Sequence, residues 1–264
     1  MSATIPSLIG VIHLPALPGS PRFGGSLDAV AERAAEDARA LAAAGFEAIV
    51  VENFGDAPFF PDRVPPITVA AMTACALAVR AAAPGLELGI NVLRNDGEAA
   101  LAVAVAAGAG MIRINVHTGA RVTDQGVVAG RAHETVRLRR ALDATRVRLL
   151  CDVDVKHAAP LAARPIAEEA EELVGRGLAD AVLVTGAGTG RGVAREDLAA
   201  VLAAVQVPVL VASGATEETL DELRGAHGVL VGSALRRSGR AGDPVDPEVA
   251  ARFADAFRWS RRAS

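Results

Sequence analysis

The sequence predicts a single (β/α)8 barrel over residues 1–264, and three observations lead to that fold class. Eight short β-rich runs alternate with eight Ala-rich helical patterns, which implies parallel strands joined by right-handed crossovers. Connections after helices are short, as at Ala44-Gly45-Phe46 and Gly108-Ala109-Gly110, whereas those after strands are long, at 14–26, 54–67, 117–129, 157–165 and 186–194. Extra length at one end marks the face where barrel sites are built. Finally, strand after strand ends in polar residues where a purely structural rim would show Val and Ile. No GxGxxG follows the first strand, so an open dinucleotide-binding sheet has no support.

The strands are predicted at 8–13, 47–53, 86–92, 111–116, 147–156, 181–185, 208–213 and 228–232, with helices near 27–44, 68–83, 96–107, 130–144, 166–175, 195–204, 217–224 and 247–259. Local signals agree with this division. Asp246-Pro247-Glu248 places a cap, a first-turn proline and an early carboxylate before the last helix. Asn95 with Glu98 reads as a capping box, and Thr216-Glu217-Glu218 reads as the opening of a seventh helix. Gly45, Gly108 and Gly177 fall where helices stop.

Composition excludes several classes of function. Net charge is −4 and the arginines are scattered over helical patterns, which gives no electrostatic footprint for nucleic acid. Apolar residues make up 51% of the chain and aromatics 3%, so the core is built from Ala, Val and Leu. No run approaches the roughly 18 apolar residues needed to span a bilayer, and the first residues lack a secretory pattern. Peripheral membrane contact is left open. Cys75 and Cys151 sit in apolar runs without metal-type spacing and read as buried hydrophobes of a reducing, cytoplasmic compartment. Neither a metal nor a cofactor is expected. The loop Phe54-Gly55-Asp56-Ala57-Pro58-Phe59-Phe60-Pro61, with three of the seven phenylalanines, suits a lid, a subunit contact in a homo-oligomer, or packing over the rim.

The stretch 147–157 draws the most attention. At period 2 its odd positions are Val147, Leu149, Cys151, Val153 and Val155, an apolar row for the helix side. Asp152, Asp154 and Lys156 share the other face. Inside a barrel those charges point into the mouth. Lys156 is also the only lysine in the chain. A position that stays lysine where every other cation is arginine needs a compact ammonium or a deprotonatable amine, unless it merely pairs with a neighbouring aspartate. Around it the strand ends present His13, Glu52, Asn91, Arg113 and Asn115, with Arg113 placed to neutralise an aspartate.

Small residues form a second cluster. Gly186, Gly188 and Thr189 follow the sixth strand, Ser213-Gly214 the seventh and Gly232-Ser233 the eighth. Backbone N–H groups in such loops can approach an anion, and barrels recurrently bind phosphate after strands 7 and 8. The loop lacks GK[ST] and is no Walker loop. A metal at His13, Glu52, Asp152 and His157 is disfavoured, because they lack local ligand spacing and His157 has the helix-side parity. No G-x-S-x-G elbow supports a serine nucleophile.

Several blocks together resemble the BtpA/SgcQ family: Gly10 through Pro21 (GVIHLPALPGSP), Val51 through Asp56 (VENFGD), Gly89 through Asp96 (GINVLRND), Thr123 through Gly126 (TDQG) and Asp154 through Ala158 (DVKHA). Val184-Thr185-Gly186, Ser213 through Thr216 and Val231-Gly232-Ser233 complete the set. The resemblance runs almost end to end. It implies a barrel related to ribulose-phosphate-binding enzymes, in a family named for photosystem I biogenesis whose other members are linked to sugar metabolism. The Asp-x-Lys-x-x-Asp pattern of orotidine-phosphate decarboxylase relatives is not met, since Ala159 stands where the second Asp belongs.

The expected function is therefore an enzyme for a small phosphorylated sugar or nucleoside-like compound, with aldol cleavage, isomerisation and glycosidic hydrolysis all open. Lys156 would be nucleophile or electrostatic stabiliser, Asp152, Asp154 and Glu52 would complete the catalytic charges, and Asn91 and Asn115 would orient hydroxyls. The competing expectation is a non-catalytic assembly or regulatory factor.

Overall fold

The computed structural model describes residues 4–186 and 192–262. Its strands are β1 (Leu8–His13), β2 (Ala48–Glu52), β3 (Glu87–Asn91), β4 (Met111–Ile114), β5 (Ala120–Thr123), β6 (Gly126–Ala129), β7 (Arg148–Val153), β8 (Ala159–Pro160), β9 (Ala181–Val184), β10 (Val209–Val211) and β11 (Gly228–Val231). The helices are α1 (Leu27–Ala44), α2 (Pro66–Ala82), α3 (Gly97–Ala107), α4 (Ala132–Ala141), α5 (Ile166–Gly175), α6 (Arg195–Ala204) and α7 (Pro247–Arg262). Eight parallel strands close in the order β1-β2-β3-β4-β7-β9-β10-β11, the predicted barrel.

Two layers of core follow from the period-2 alternation. Ile9, Val11, Ala48, Val50, Met111, Leu150, Leu183, Leu210 and Leu230 fill the barrel interior. Ile12, Ile49, Val51, Ile90, Ile112, Leu149, Cys151, Val182 and Val229 face the helices. The apolar row of β7 thus lies where its parity puts it. Both cysteines are buried and free, and burial pushes the Cys75 thiol up to about 12.

Caps explain most helix boundaries. Ser26 accepts from Ala29 N–H at 3.1 Å to start α1, and Asp246 accepts from Glu248 and Val249 to start α7. Gly45 and Gly108 take the left-handed conformation that lets α1 and α3 end. At α5 it is Leu178, not Gly177, that turns left-handed. Gly177 is needed for space instead, since a Cβ there would meet Leu173 O at 2.5 Å.

Three local expectations fail. Asp96, not Asn95, caps α3 by accepting from Ala99 N–H at 2.9 Å. Asn95 instead brackets the backbone of Val116, bonding both its N–H and its C=O at 2.8 Å. No α-helix forms at 217–224: Thr219 Oγ1 takes the Thr216 N–H at 2.9 Å, and the segment shortens to a 3-10 turn at Leu220–Leu223. The long loop after β4 holds a hairpin, β5 with β6, which β8 joins as a third antiparallel strand. Val116, Val128 and Val155 pack beneath this small sheet.

Candidate active site

Register builds the site. His13, Glu52, Asn91 and Arg113 are successive partners across β1, β2, β3 and β4, so all four reach the same height and point inward, one layer above the apolar interior. Asp152 has the parity of Leu150 and joins them from β7. Arg113 donates through Nε and Nη2 to the two oxygens of Asp152, each at 2.9 Å. Its Nη1 lies 3.7 Å from Glu52 Oε2, and Glu52 Oε1 lies 3.9 Å from His13 Nε2. On the other side Asn115 donates to Asp152 Oδ2 at 3.0 Å, and Asn91 donates to Asn115 Oδ1 at 3.1 Å. Asn91 Oδ1 is left buried without a partner among the described residues.

The electrostatics of this chain are those of a dry, crowded site. Burial works against the charge on Arg113, yet Asp152 and then Glu52 outweigh it and hold the guanidinium above its ordinary value. Burial, then Arg236, Lys156, Arg113 and Arg33, drive His13 well below its ordinary 6.5. Its ring is therefore neutral at pH 7. Because Nδ1 accepts from Gly242 N–H at 3.3 Å, the proton is assigned to Nε2. Phe54 lies against the same ring at 4.6 Å between centroids.

Lys156 stands at the edge of this layer, with its pKa lowered by burial first and by Arg113 next, while Glu52 and Asp152 pull the other way. Among the described residues no carboxylate comes within ion-pair distance of it. The segment that carries it has left the strand, yet three contacts fix it. Thr185 Oγ1 donates to Asp154 O at 2.8 Å, Arg94 Nη2 donates to Lys156 O at 2.8 Å, and Val155 is buried under the small sheet.

Asp154 corrects the sequence reading. Its φ of 52° ends the pleat, and its side chain turns outward, about half exposed, with one oxygen 3.8 Å from Arg121 Nε. The predicted inward Asp-Asp-Lys face is thus an inward Asp152, an outward Asp154 and an inward Lys156. His117 leaves the Arg113–Asn115 face in the same way, its Nε2 bonded to Gly177 O at 2.8 Å. His157 is exposed, and among the described residues no cluster of His, Cys, Asp and Glu could hold a metal.

The small-residue loops line the opposite wall. One narrow cleft, about 30 Å³, is bordered by His13, Glu52, Arg113 and Lys156 together with Ser213, Gly214, Gly232 and Ser233. Ser213 Oγ accepts the Gly186 N–H at 2.6 Å, which ties two of these loops together. Gly214 has φ 71°. A Cβ on Gly232 would stand 2.9 Å from His13 Cε1, so only glycine lets loop and imidazole share this wall. Gly188 and Thr189 lie outside the described residues.

Two buried arginines escaped the sequence reading. Arg236 donates to the carbonyls of Val11 at 2.8 Å and Asp243 at 3.1 Å and also to Gly232 O, pinning the loop after β11. Burial lowers its pKa to about 10. Arg94 follows β3 and reaches Lys156, as above. It belongs to the block Gly89–Asp96 that carries the family resemblance, which was the signal that could have found it. For Arg236 the sequence offers no such signal.

Comparison with known proteins supports this frame. Residues 4–258 match the BtpA family. The chain is 46% identical to "Photosystem I biogenesis protein BtpA" of Synechocystis, over 95% of this chain and 87% of that one. It is 43% identical to an uncharacterized protein of Thermococcus kodakarensis, over 97% of each. Among solved structures, thiamine phosphate pyrophosphorylase from Pyrococcus furiosus superposes with a TM-score of 0.59 at 15% identity, covering 97% of this chain and 96% of that one. N-(5'-phosphoribosyl)anthranilate isomerase from the same organism gives 0.59 at 14% identity, over 96% and 98%. At such identities the likeness speaks to the barrel alone.

Proposed function

The chain belongs to the BtpA family, and from that premise we propose that it is an enzyme acting on a small phosphorylated sugar or nucleoside-like compound at the carboxyl end of its barrel. One observation carries this reading. A buried row of bonded polar groups, from Asn91 through Asn115, Asp152, Arg113 and Glu52 to His13, faces small-residue loops across a cleft that Lys156 also enters. Holding so many polar groups out of water costs stability, and a binding or catalytic task is what justifies such an arrangement. The barrel neighbours named for phosphate-bearing compounds are consistent with it.

In this reading the phosphate sits against Ser213, Gly214, Gly232 and Ser233, with Gly186 and the unplaced Gly188 and Thr189 completing the loops. Asp152 has both oxygens committed to Arg113 and Asn115, so it positions that pair and leaves proton transfer to Glu52. Neutral His13 donates or relays through Nε2. Lys156 supplies either an amine that condenses with a substrate carbonyl, releasing water, or a cation that stabilises developing negative charge. Asp154, turned outward, orders the Lys156 segment rather than touching the ligand.

The test is a thermal-shift panel of sugar phosphates, nucleotides and inorganic phosphate on wild type and Lys156→Ala. A ligand at a hundred times its Kd stabilises the native state by about 2.7 kcal/mol. A phosphorylated compound that shifts wild type more than the variant supports the site, and no shift with any of them removes the anion wall. Borohydride reduction in the presence of the stabilising compound then separates the two roles of Lys156, since only an imine leaves a substrate-sized mass on that residue.

A second reading has one observation of its own: the 46% identical relative is named for photosystem I biogenesis. An assembly or regulatory factor on the same scaffold would keep its in-cell role in a Lys156→Met variant and lose it through changes on the outer surface.

A further inference from the structure

Arg94 is a buried cation that the proposed chemistry does not use. It is 6% exposed, and its one hydrogen bond given to a described residue goes to the carbonyl of Lys156. Among the described residues no carboxylate lies within ion-pair distance of either side chain. The carboxylates acting on both from further away are Asp152, already paired with Arg113, and Glu52. At this end of the mouth three cations, Arg94, Lys156 and Arg113, therefore stand against two carboxylates, Asp152 and Glu52. A guanidinium kept from bulk water without a counter-ion is costly, and its planar fork is the side chain best matched to a carboxylate or phosphate. The loops at Ser213–Gly214 and Gly232–Ser233 border a different wall of the mouth, after β10 and β11, whereas Arg94 follows β3.

We infer that Arg94 binds a second anionic group of the ligand, separate from the phosphate held by the small-residue loops, so that the substrate is a compact compound carrying a phosphate at one end and a carboxylate or second phosphate at the other. This inference rests on the phosphate reading above and narrows it. The second anion lies beside Lys156, which places the reacting carbon between two anchored ends and makes Arg94 the residue that selects doubly anionic compounds over simple sugar phosphates.

The experiment compares binding by calorimetry at fixed ionic strength for three probes: ribose 5-phosphate, ribulose 1,5-bisphosphate and 3-phosphoglycerate. Wild type is set against Arg94→Gln, Arg94→Lys and a surface control, Arg39→Gln. The bisphosphate or the phosphocarboxylate should bind wild type about tenfold or more tightly than the monophosphate, and whichever of the two gains identifies the second group. Arg94→Gln should abolish that gain while leaving ribose 5-phosphate binding unchanged, and Arg94→Lys should restore part of it. Far-ultraviolet circular dichroism and melting temperature confirm that each variant is folded. If ribose 5-phosphate binds and neither doubly charged probe binds better, this inference fails and the phosphate site stands. If malonate, with carboxylates only, binds wild type and is lost in Arg94→Gln while no phosphate compound binds, the Arg94 site stands and the phosphate site fails. Binding of none of the probes overturns both.

Discussion

Lys156 offers a direct measurement because no other lysine competes for an amine-selective reagent, and peptide mapping separates it from the α-amino group. Its pKa lies below the ordinary 10.5, chiefly through burial and then Arg113. Acylation at Lys156 should therefore rise with pH at a midpoint below 10.5. A midpoint at or above that value would show that the ammonium is not disfavoured. The Arg113–Asp152 pair makes a second residue-scale prediction. Both side chains are buried and doubly bonded, so Arg113→Met leaves an uncompensated carboxylate and should cost about 3–5 kcal/mol. Joining it to Asp152→Leu should recover part of that loss in urea unfolding, because the orphaned charge goes with it. Both losses simply adding would argue that the pair is uncoupled.

At the scale of elements, the mouth depends on pieces that are not barrel strands. The β5–β6 hairpin and β8 cover Val155 and so hold the Lys156 segment after its strand has ended. Gly126 closes the hairpin with φ 94°, a conformation that side chains with a Cβ resist. Gly126→Ala should cost about 1 kcal/mol, read as faster amide exchange at 120–129 with the barrel strands unchanged. Equal acceleration in the barrel would mean the small sheet does not open by itself. The 3-10 turn at 220–223 teaches a related lesson. Its Thr-Glu-Glu opening has helix chemistry, but Thr219 takes the Thr216 N–H and the segment has too few residues before β11 for a helix to lengthen.

For the molecule as a whole, acid acts through groups of opposite sign. His13 has its pKa depressed by burial and by neighbouring cations. The unfolded chain therefore binds its proton first, and stability falls as pH drops through 6.5 toward the folded value. Glu134 and Glu172 are held below their ordinary 4.5 by hydrogen bonds from Arg131 and Arg164, so their contribution is present above 4.5 and is lost below it. Asp37 and Asp154, raised first by burial, work the other way near 4. Melting temperature should consequently decline in two stages, one below pH 6.5 and one below 4.5. Salt should shrink the second, exposed stage and spare the first, and His13→Gln should flatten the first. A single salt-sensitive stage that His13→Gln leaves untouched would remove the buried imidazole from the account.

The sequence by itself determined the barrel, its strand order and the polar ends of β1, β2, β3, β4 and β7, because hydrophobic periodicity and loop length are local properties that the chain displays openly. It also determined that Arg113 would meet an aspartate, since neighbouring strands with matching parity leave little choice. The tertiary structure decided the rest. Asp154 reads as inward by parity and is outward because one residue in the left-handed region ends the pleat, with Arg121 waiting on a sheet that the alternation of elements did not announce. Arg94 and Arg236 enter the site from loops, where no periodicity says which way a side chain points. Asn95 abandons its helix to bracket Val116, because a backbone 21 residues away needs both a donor and an acceptor. Such partners are distant in sequence, and only the closed barrel brings them within reach.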